Sequence, residues 1–135
     1  MTLFTLHPQL ATDTESVVEL NLCKILLMND QTYPWVVMVP KRLDLREIHD
    51  LSPADQQLLV SEITQTSKAM QRLFKADKMN VAALGNMVPQ LHIHVIARYE
   101  NDSAWPGPIW GMVPAAAYAP NELAAVIDKL KEALS

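Results

Sequence analysis

Cysteine is nearly absent from this chain, and that scarcity removes two classes of small protein. Cys23 stands alone among 135 residues, so neither a disulfide framework nor a cysteine-based zinc site can form within one chain. Its apolar neighbours make it a buried thiol. Glycine is scarce as well. Three residues, Gly85, Gly107 and Gly111, supply no Gly-rich loop of the kind that cradles phosphates in P-loop proteins. Positive charge is neither abundant nor gathered: eleven Lys and Arg face fifteen Asp and Glu, for a formal charge of −4. No basic stripe offers itself to a nucleic-acid backbone, and nucleic acid is not expected as a partner. No apolar run approaches the roughly 18 residues of a membrane span. The first residues carry neither a basic leader nor a long apolar segment. A cytoplasmic protein without a membrane partner is the expectation.

What is present suits a packed domain. Half the residues are hydrophobic and 19% charged, an ordinary globular balance, and the length is near that of one domain. A single domain over residues 1–135 is expected, without repeats or low-complexity tracts.

Local pattern then orders the elements. Val17 to Leu20 and Leu22 to Met28 read as short strands, and Asn29 to Pro34 supplies turn chemistry. Trp35 to Val39 is a β-branched run closed by Pro40, which has no ladder donor to give. Ser52-Pro53-Ala54-Asp55 starts a helix: serine caps, proline suits the first turn, and aspartate favours the positive end of the dipole. Leu59, Ile63, Met70, Leu73 and Phe74 continue it at helical spacing to about Lys75. Met79 to Leu84 and Leu91 to Ala97 read as strands joined through Gly85 to Pro89, and Pro120 to Leu134 as a terminal helix. Strands and helices that do not alternate regularly predict an α+β fold with a largely antiparallel sheet.

Chemistry concentrates on one strand. Alternate side chains share a face, so Gln90, His92, His94, Ile96 and Arg98 point one way while Leu91, Ile93, Val95 and Ala97 point the other. Same-face neighbours lie about 6.5–7 Å apart, near enough for two imidazoles to address one phosphate or one metal ion. Imidazole is also the side chain whose ordinary pKa leaves much of it neutral and nucleophilic at cellular pH.

Gln90-Leu91-His92-Ile93-His94-Val95-Ile96 resembles the signature of the histidine-triad (HIT) family of nucleotide hydrolases and transferases, His-x-His-x-His followed by apolar residues. Gly85 to Pro89 is similar to the turn that precedes that signature, and Val36-Val37-Met38-Val39-Pro40-Lys41 to the family's "LVIPK" strand end. The likeness extends over about residues 17–111. It implies a five-stranded antiparallel sheet with two main helices, paired into a ten-stranded sheet in a homodimer, and a nucleotide substrate with no cofactor. It also implies that His92 attacks the α-phosphorus to give a nucleotidyl-histidine that water hydrolyses, and that His94 donates a hydrogen bond to the phosphate. By the same resemblance Asn86 binds the phosphate or bridging oxygen, Asn29 holds the ribose with Asp30 as its rival, and Asn80 orients the turn.

Two positions depart from the family pattern. Gln90 stands at the first triad position, where it keeps hydrogen bonding but carries no titrating proton, so proton delivery to a leaving group is expected to weaken. Trp35 stands where many relatives have a histidine, and either stacks on a purine or packs. A Gln-x-His-x-His form with a downstream Trp-Pro-x-Pro-x-Trp-Gly, here Trp105 to Gly111, is similar to a bacterial branch. Plain readings stand beside these. His7 and His49 read as solvated or structural, Trp105 and Trp110 as packing residues, Arg98 as a solvated strand end, and Lys41, Arg42 and Arg46 as loop surface. Two further functions compete with the enzyme: a nucleotide-binding module with little turnover, and a metal-binding protein using His92 and His94.

Overall fold

A sheet covered by helices on one side places apolar residues toward them at every second position, and the chain follows that rule. The computed structural model describes residues 4–135. In chain order it contains α1 (Pro8–Asp13), β1 (Thr14–Glu19), β2 (Cys23–Met28), β3 (Trp35–Pro40), a 3₁₀ turn (Ile48–Asp50), α2 (Pro53–Phe74), β4 (Lys78–Ala82), β5 (Ile93–Arg98) and α3 (Pro120–Leu134). The strands form one five-stranded sheet in the order β1-β2-β3-β5-β4, antiparallel throughout. The expected α+β architecture is therefore present, with the β4–β5 pairing in register at Val81 and Val95.

One face packs on the helices. Ile25 and Leu27 of β2, Val36 and Met38 of β3, and Ile93 and Val95 of β5 meet Leu59, Ala69 and Met70 of α2 and Leu130 and Leu134 of α3. α2 starts where Ser52 accepts the Asp55 N–H at 3.1 Å, with Pro53 in the first turn, and stops at Lys75, whose φ of 52° is left-handed. Its inner stripe carries a residue that hydrophobic spacing passes over. Glu62 is buried and its two carboxylate oxygens accept the Leu22 and Cys23 N–H groups, each at 2.9 Å. Two backbone donors at the β1–β2 turn are thus satisfied from the helix. Burial and the neighbouring Glu62 push the Cys23 thiol well up, so it is an inert core residue.

The opposite face holds the chemistry. Leu26, Val37 and Val39 point there and are covered by Leu10 of α1 and by Val88. α1 was not expected from periodicity, being a single short stretch with one buried residue. His94 pairs with Val37 across β3 and β5 and shares this face. β5 begins at Ile93, later than expected, because the backbone just before it bonds elsewhere: the Leu91 N–H goes to the Leu45 carbonyl at 3.0 Å. Among the described residues no helix is long and apolar enough to cross a membrane.

Candidate active site

The turn that delivers His92 is tight for a steric reason. A Cβ at Gly85 would lie 2.9 Å from the Val88 carbonyl oxygen, closer than side chains tolerate, so glycine serves close approach here and not a positive φ. Beyond the turn, His92 Nδ1 lies 2.7 Å from the Gln90 carbonyl oxygen. A carbonyl only accepts, so Nδ1 carries the hydrogen and Nε2 keeps its lone pair.

His94 has the complementary form. Trp35 Nε1–H donates to His94 Nδ1 at 3.0 Å. An indole nitrogen can only donate, so the bond forces Nδ1 to accept and leaves the hydrogen on Nε2. Burial first, and then the nearby His92, push the His94 pKa down from 6.5 to about 4, against a smaller opposing effect of the Leu84 carbonyl. Aromatic rings enclose it: His92 at 4.9 Å between centroids, Trp110 at 5.1 Å and Trp35 at 5.7 Å. One imidazole is thus a lone-pair donor and its neighbour a neutral N–H donor.

Both rings are largely buried, yet His92 lines an open cavity of about 370 Å³. Asn86 lines it too, as do Arg46 and His49, two side chains whose local pattern predicts only solvated surface. The remaining expected residues sit elsewhere. Asn29, Asp30 and Trp35 line a second cavity of about 390 Å³ together with Met28, Thr12 and Asp13. Asn29 Oδ1 accepts the Tyr118 N–H at 3.0 Å, and buried Asp30 Oδ1 accepts the Thr32 and Ala116 N–H groups at 3.0 and 3.2 Å, so both side chains hold the segment leading to α3. The structure does not bring these two to the cavity of His92.

Three expectations need correcting. The Gln90 side chain is not free to serve a phosphate: Oε1 accepts the His7 N–H at 2.8 Å and Nε2 donates to the Thr5 carbonyl at 2.9 Å, clamping the N-terminal segment. Its influence on His92 passes through the main-chain carbonyl. Asn80, expected to orient the turn, has its Oδ1 directed instead at Arg98 Nη1, which donates to it at 2.7 Å. Arg98 is not solvated but 1% exposed. It forms a paired bond to Asp102 at 2.8 and 3.0 Å, donates to the Gly107 carbonyl at 2.8 Å, and lies 5.7 Å from the ring centroids of both Tyr33 and Trp105. Asp102 in turn accepts backbone N–H groups of Tyr99, Ala104 and Trp105. Arg98 therefore pins the loop that carries Trp110 against His94. The shared face of His94 and Arg98 was a readable signal of this; nothing local pointed to Asp102 or His49. Among the described residues no group of three or more His, Cys, Asp or Glu is placed to hold a metal ion.

Known structures share this fold. Solved histidine triad proteins resemble the chain over nearly its whole length. That from Marinobacter aquaeolei VT8 is 52% identical, covering 97% of this chain and 96% of that one, with a TM-score of 0.95. That from Bradyrhizobium japonicum is 42% identical, with 98% of each chain covered and a TM-score of 0.95. That from Sinorhizobium meliloti 1021 is 41% identical, with 99% of each covered and a TM-score of 0.96. No curated protein matches the chain. The HIT domain pattern matches residues 9–101, a span holding all five strands, α2 and both histidines of the site, and the chain belongs to the HIT domain family.

Proposed function

We propose that this protein is a nucleotide phosphohydrolase or nucleotidyl transferase that cleaves a nucleoside phosphate anhydride, ester or phosphoramidate, such as a dinucleoside polyphosphate, through His92. Family membership supports a nucleotide-binding or hydrolase/transferase kind of function. The observation that carries the finer reading is the bond from His92 Nδ1 to the Gln90 carbonyl, on a ring that borders an open cavity. That bond leaves Nε2 as the nucleophile and offsets the positive charge the ring acquires on attack.

In the first step the Nε2–P bond forms and the bond from phosphorus to the leaving oxygen or nitrogen breaks. The leaving group departs with that electron pair and takes a proton from solvent. His94 Nε2–H, which faces the Leu84 carbonyl, turns to a phosphoryl oxygen as negative charge gathers there. In the second step water attacks phosphorus, the N–P bond breaks, the electron pair returns to Nε2, and one proton is released. Splitting a hard displacement in two lowers each barrier.

The test is to mix the protein with a dinucleoside polyphosphate, quench in base and read the peptide masses. A nucleoside monophosphate attached at His92 is expected; product release with no adduct at any quench time refutes the covalent route. A second reading, a binding module with little turnover, is favoured by one observation. The Gln90 amide is already occupied, so the first triad position supplies no proton. That reading predicts nucleotide binding with neither adduct nor product.

The homodimer belongs to the same proposal. β4 is an edge strand, its ladder groups open on one side, and Val81 on it is 47% exposed. Light scattering is expected to report twice the 15.1 kDa chain mass; a monomer at high micromolar concentration counts against it.

A further inference from the structure

We propose that Arg46 and His49 form the leaving-group subsite of the His92 cavity, and that the group they receive is anionic, as a phosphate chain is. The inference rests on the reading of His92 as the nucleophile. Two chain segments border the cavity: one runs from Ala83 to His92, and the other supplies Arg46, Glu47, Ile48 and His49. In phosphoryl transfer the attacking and leaving atoms lie roughly in line on opposite sides of phosphorus. A group expelled by His92 therefore moves away from that ring into the cavity, where Arg46 and His49 are the other basic side chains on the lining.

That wall is held against the nucleophile through the backbone. The Leu45 carbonyl accepts the Leu91 N–H at 3.0 Å, so Arg46 and His92 each directly follow a residue of that hydrogen-bonded pair. The Arg46 and Glu47 N–H groups both donate to Asp50 Oδ2, at 3.1 and 2.9 Å. These bonds close the turn that brings His49 to the cavity. The same two donors hold the Asp50 carboxyl below the usual carboxylate range.

The wall's cation makes no fixed bond, though together with His49 it acts electrostatically on the Asp50 carboxylate. Arg42 is paired with Asp55 and Arg98 with Asp102, whereas the Arg46 guanidinium makes no ion pair or hydrogen bond among the described residues. A guanidinium presents donors in a planar fork suited to phosphate oxygens, and His49 adds a further ring donor. Glu47 borders the same cavity, which cancels the formal charge of Arg46. Recognition there comes from directed hydrogen bonds and not from a broad positive field.

The test uses two substrates with the same nucleoside: diadenosine tetraphosphate, with an anionic leaving group, and an adenosine phosphoramidate of a neutral alkylamine. In Arg46→Ala/His49→Ala the ratio of kcat/KM for the first over the second is expected to fall by about ten- to hundredfold, the loss of one or two charge-assisted hydrogen bonds. Arg46→Lys should restore part of it. Direct binding of inorganic tripolyphosphate supplies an independent readout, with Kd rising about tenfold or more in the double variant. Both positions are exposed, so the fold should survive, which thermal melting verifies. An unchanged ratio, or an equal loss on both substrates, overturns the proposal, the latter by assigning the wall to the nucleoside. Tripolyphosphate bound equally by the variant and the wild type, or not at all, also overturns it. Tripolyphosphate binding that depends on Arg46 and His49, without turnover of either substrate, supports the anion subsite and overturns the reading of His92 instead.

Discussion

His92→Ala is expected to lower turnover of a dinucleoside polyphosphate by at least about a thousandfold, the scale on which enzymes respond to loss of the attacking group. No neighbour can take over. His94 lies 4.9 Å away between ring centroids, but its Nδ1 lone pair is engaged by Trp35 and its Nε2 carries hydrogen, so it presents a donor where an attacker is needed. Nor does acidification supply a substitute, since protonating His94 below about pH 4 removes its last lone pair. The change should be almost silent in the fold. His92 borders an open cavity, so the truncated side chain is replaced by water more readily than in a closed core. Nucleotide affinity should change far less than turnover. Steady-state kinetics beside a thermal melt separates these effects, and a variant retaining a tenth of wild-type turnover would exclude His92 as the nucleophile.

Arg98→Met is expected to produce the largest stability loss, about 3–5 kcal/mol. The substitution leaves Asp102 charged, 6% exposed at its side chain and without its cation. It also strands the Gly107 carbonyl and Asn80 Oδ1, which Arg98 satisfies. For a chain of this size the melting temperature should drop by roughly 10–20 °C. Removing the second charge as well, in Arg98→Met/Asp102→Asn, should recover part of the loss, because the expense lies in the uncompensated charge more than in the missing contact. Acid titration offers a second check. Hydrogen bonding from Arg98 is the main cause that lowers the Asp102 pKa from 3.8 to about 2. Between those values the unfolded chain binds the proton more readily than the folded one. Wild-type stability should therefore be full above about pH 4 and fall by about 2 kcal/mol as pH drops to about 2. In Arg98→Met that contribution should shrink to the part that the Tyr99 and Ala104 N–H groups sustain. A single variant melting within a few degrees of wild type would show that the pair holds little.

The loss at Arg98 should also reach the site. The loop it anchors carries Trp110, whose ring stands 5.1 Å from that of His94 and 6.2 Å from that of Trp35. Losing the buried ion pair several residues down the strand should therefore loosen the aromatic packing around the donor imidazole.

How far each feature could be read in the chain follows from its range. The strand face bearing His92 and His94, the Ser52-Pro53 start of α2 and the proline end of β3 depend on neighbours within a few residues, and period and capping chemistry are local. The HIT fold followed from three such blocks in their order. The boundaries shifted where backbone groups found distant partners, as at Leu91, whose N–H left the ladder for Leu45.

The amino-acid sequence by itself determined the sheet, its two helices and which side of β5 carries imidazole. Only the tertiary structure decided what surrounds that side. It turned the Gln90 amide to residues 83 and 85 positions away, fixed the His94 hydrogen on Nε2 through an indole donor 59 positions away, brought Arg46 and His49 to the rim of the His92 cavity and buried Arg98. The physical reason is that these are single polar contacts between distant loops. Each is directional and none repeats along the chain, so no periodicity announces them, and they exist only once the packed core has brought the loops together.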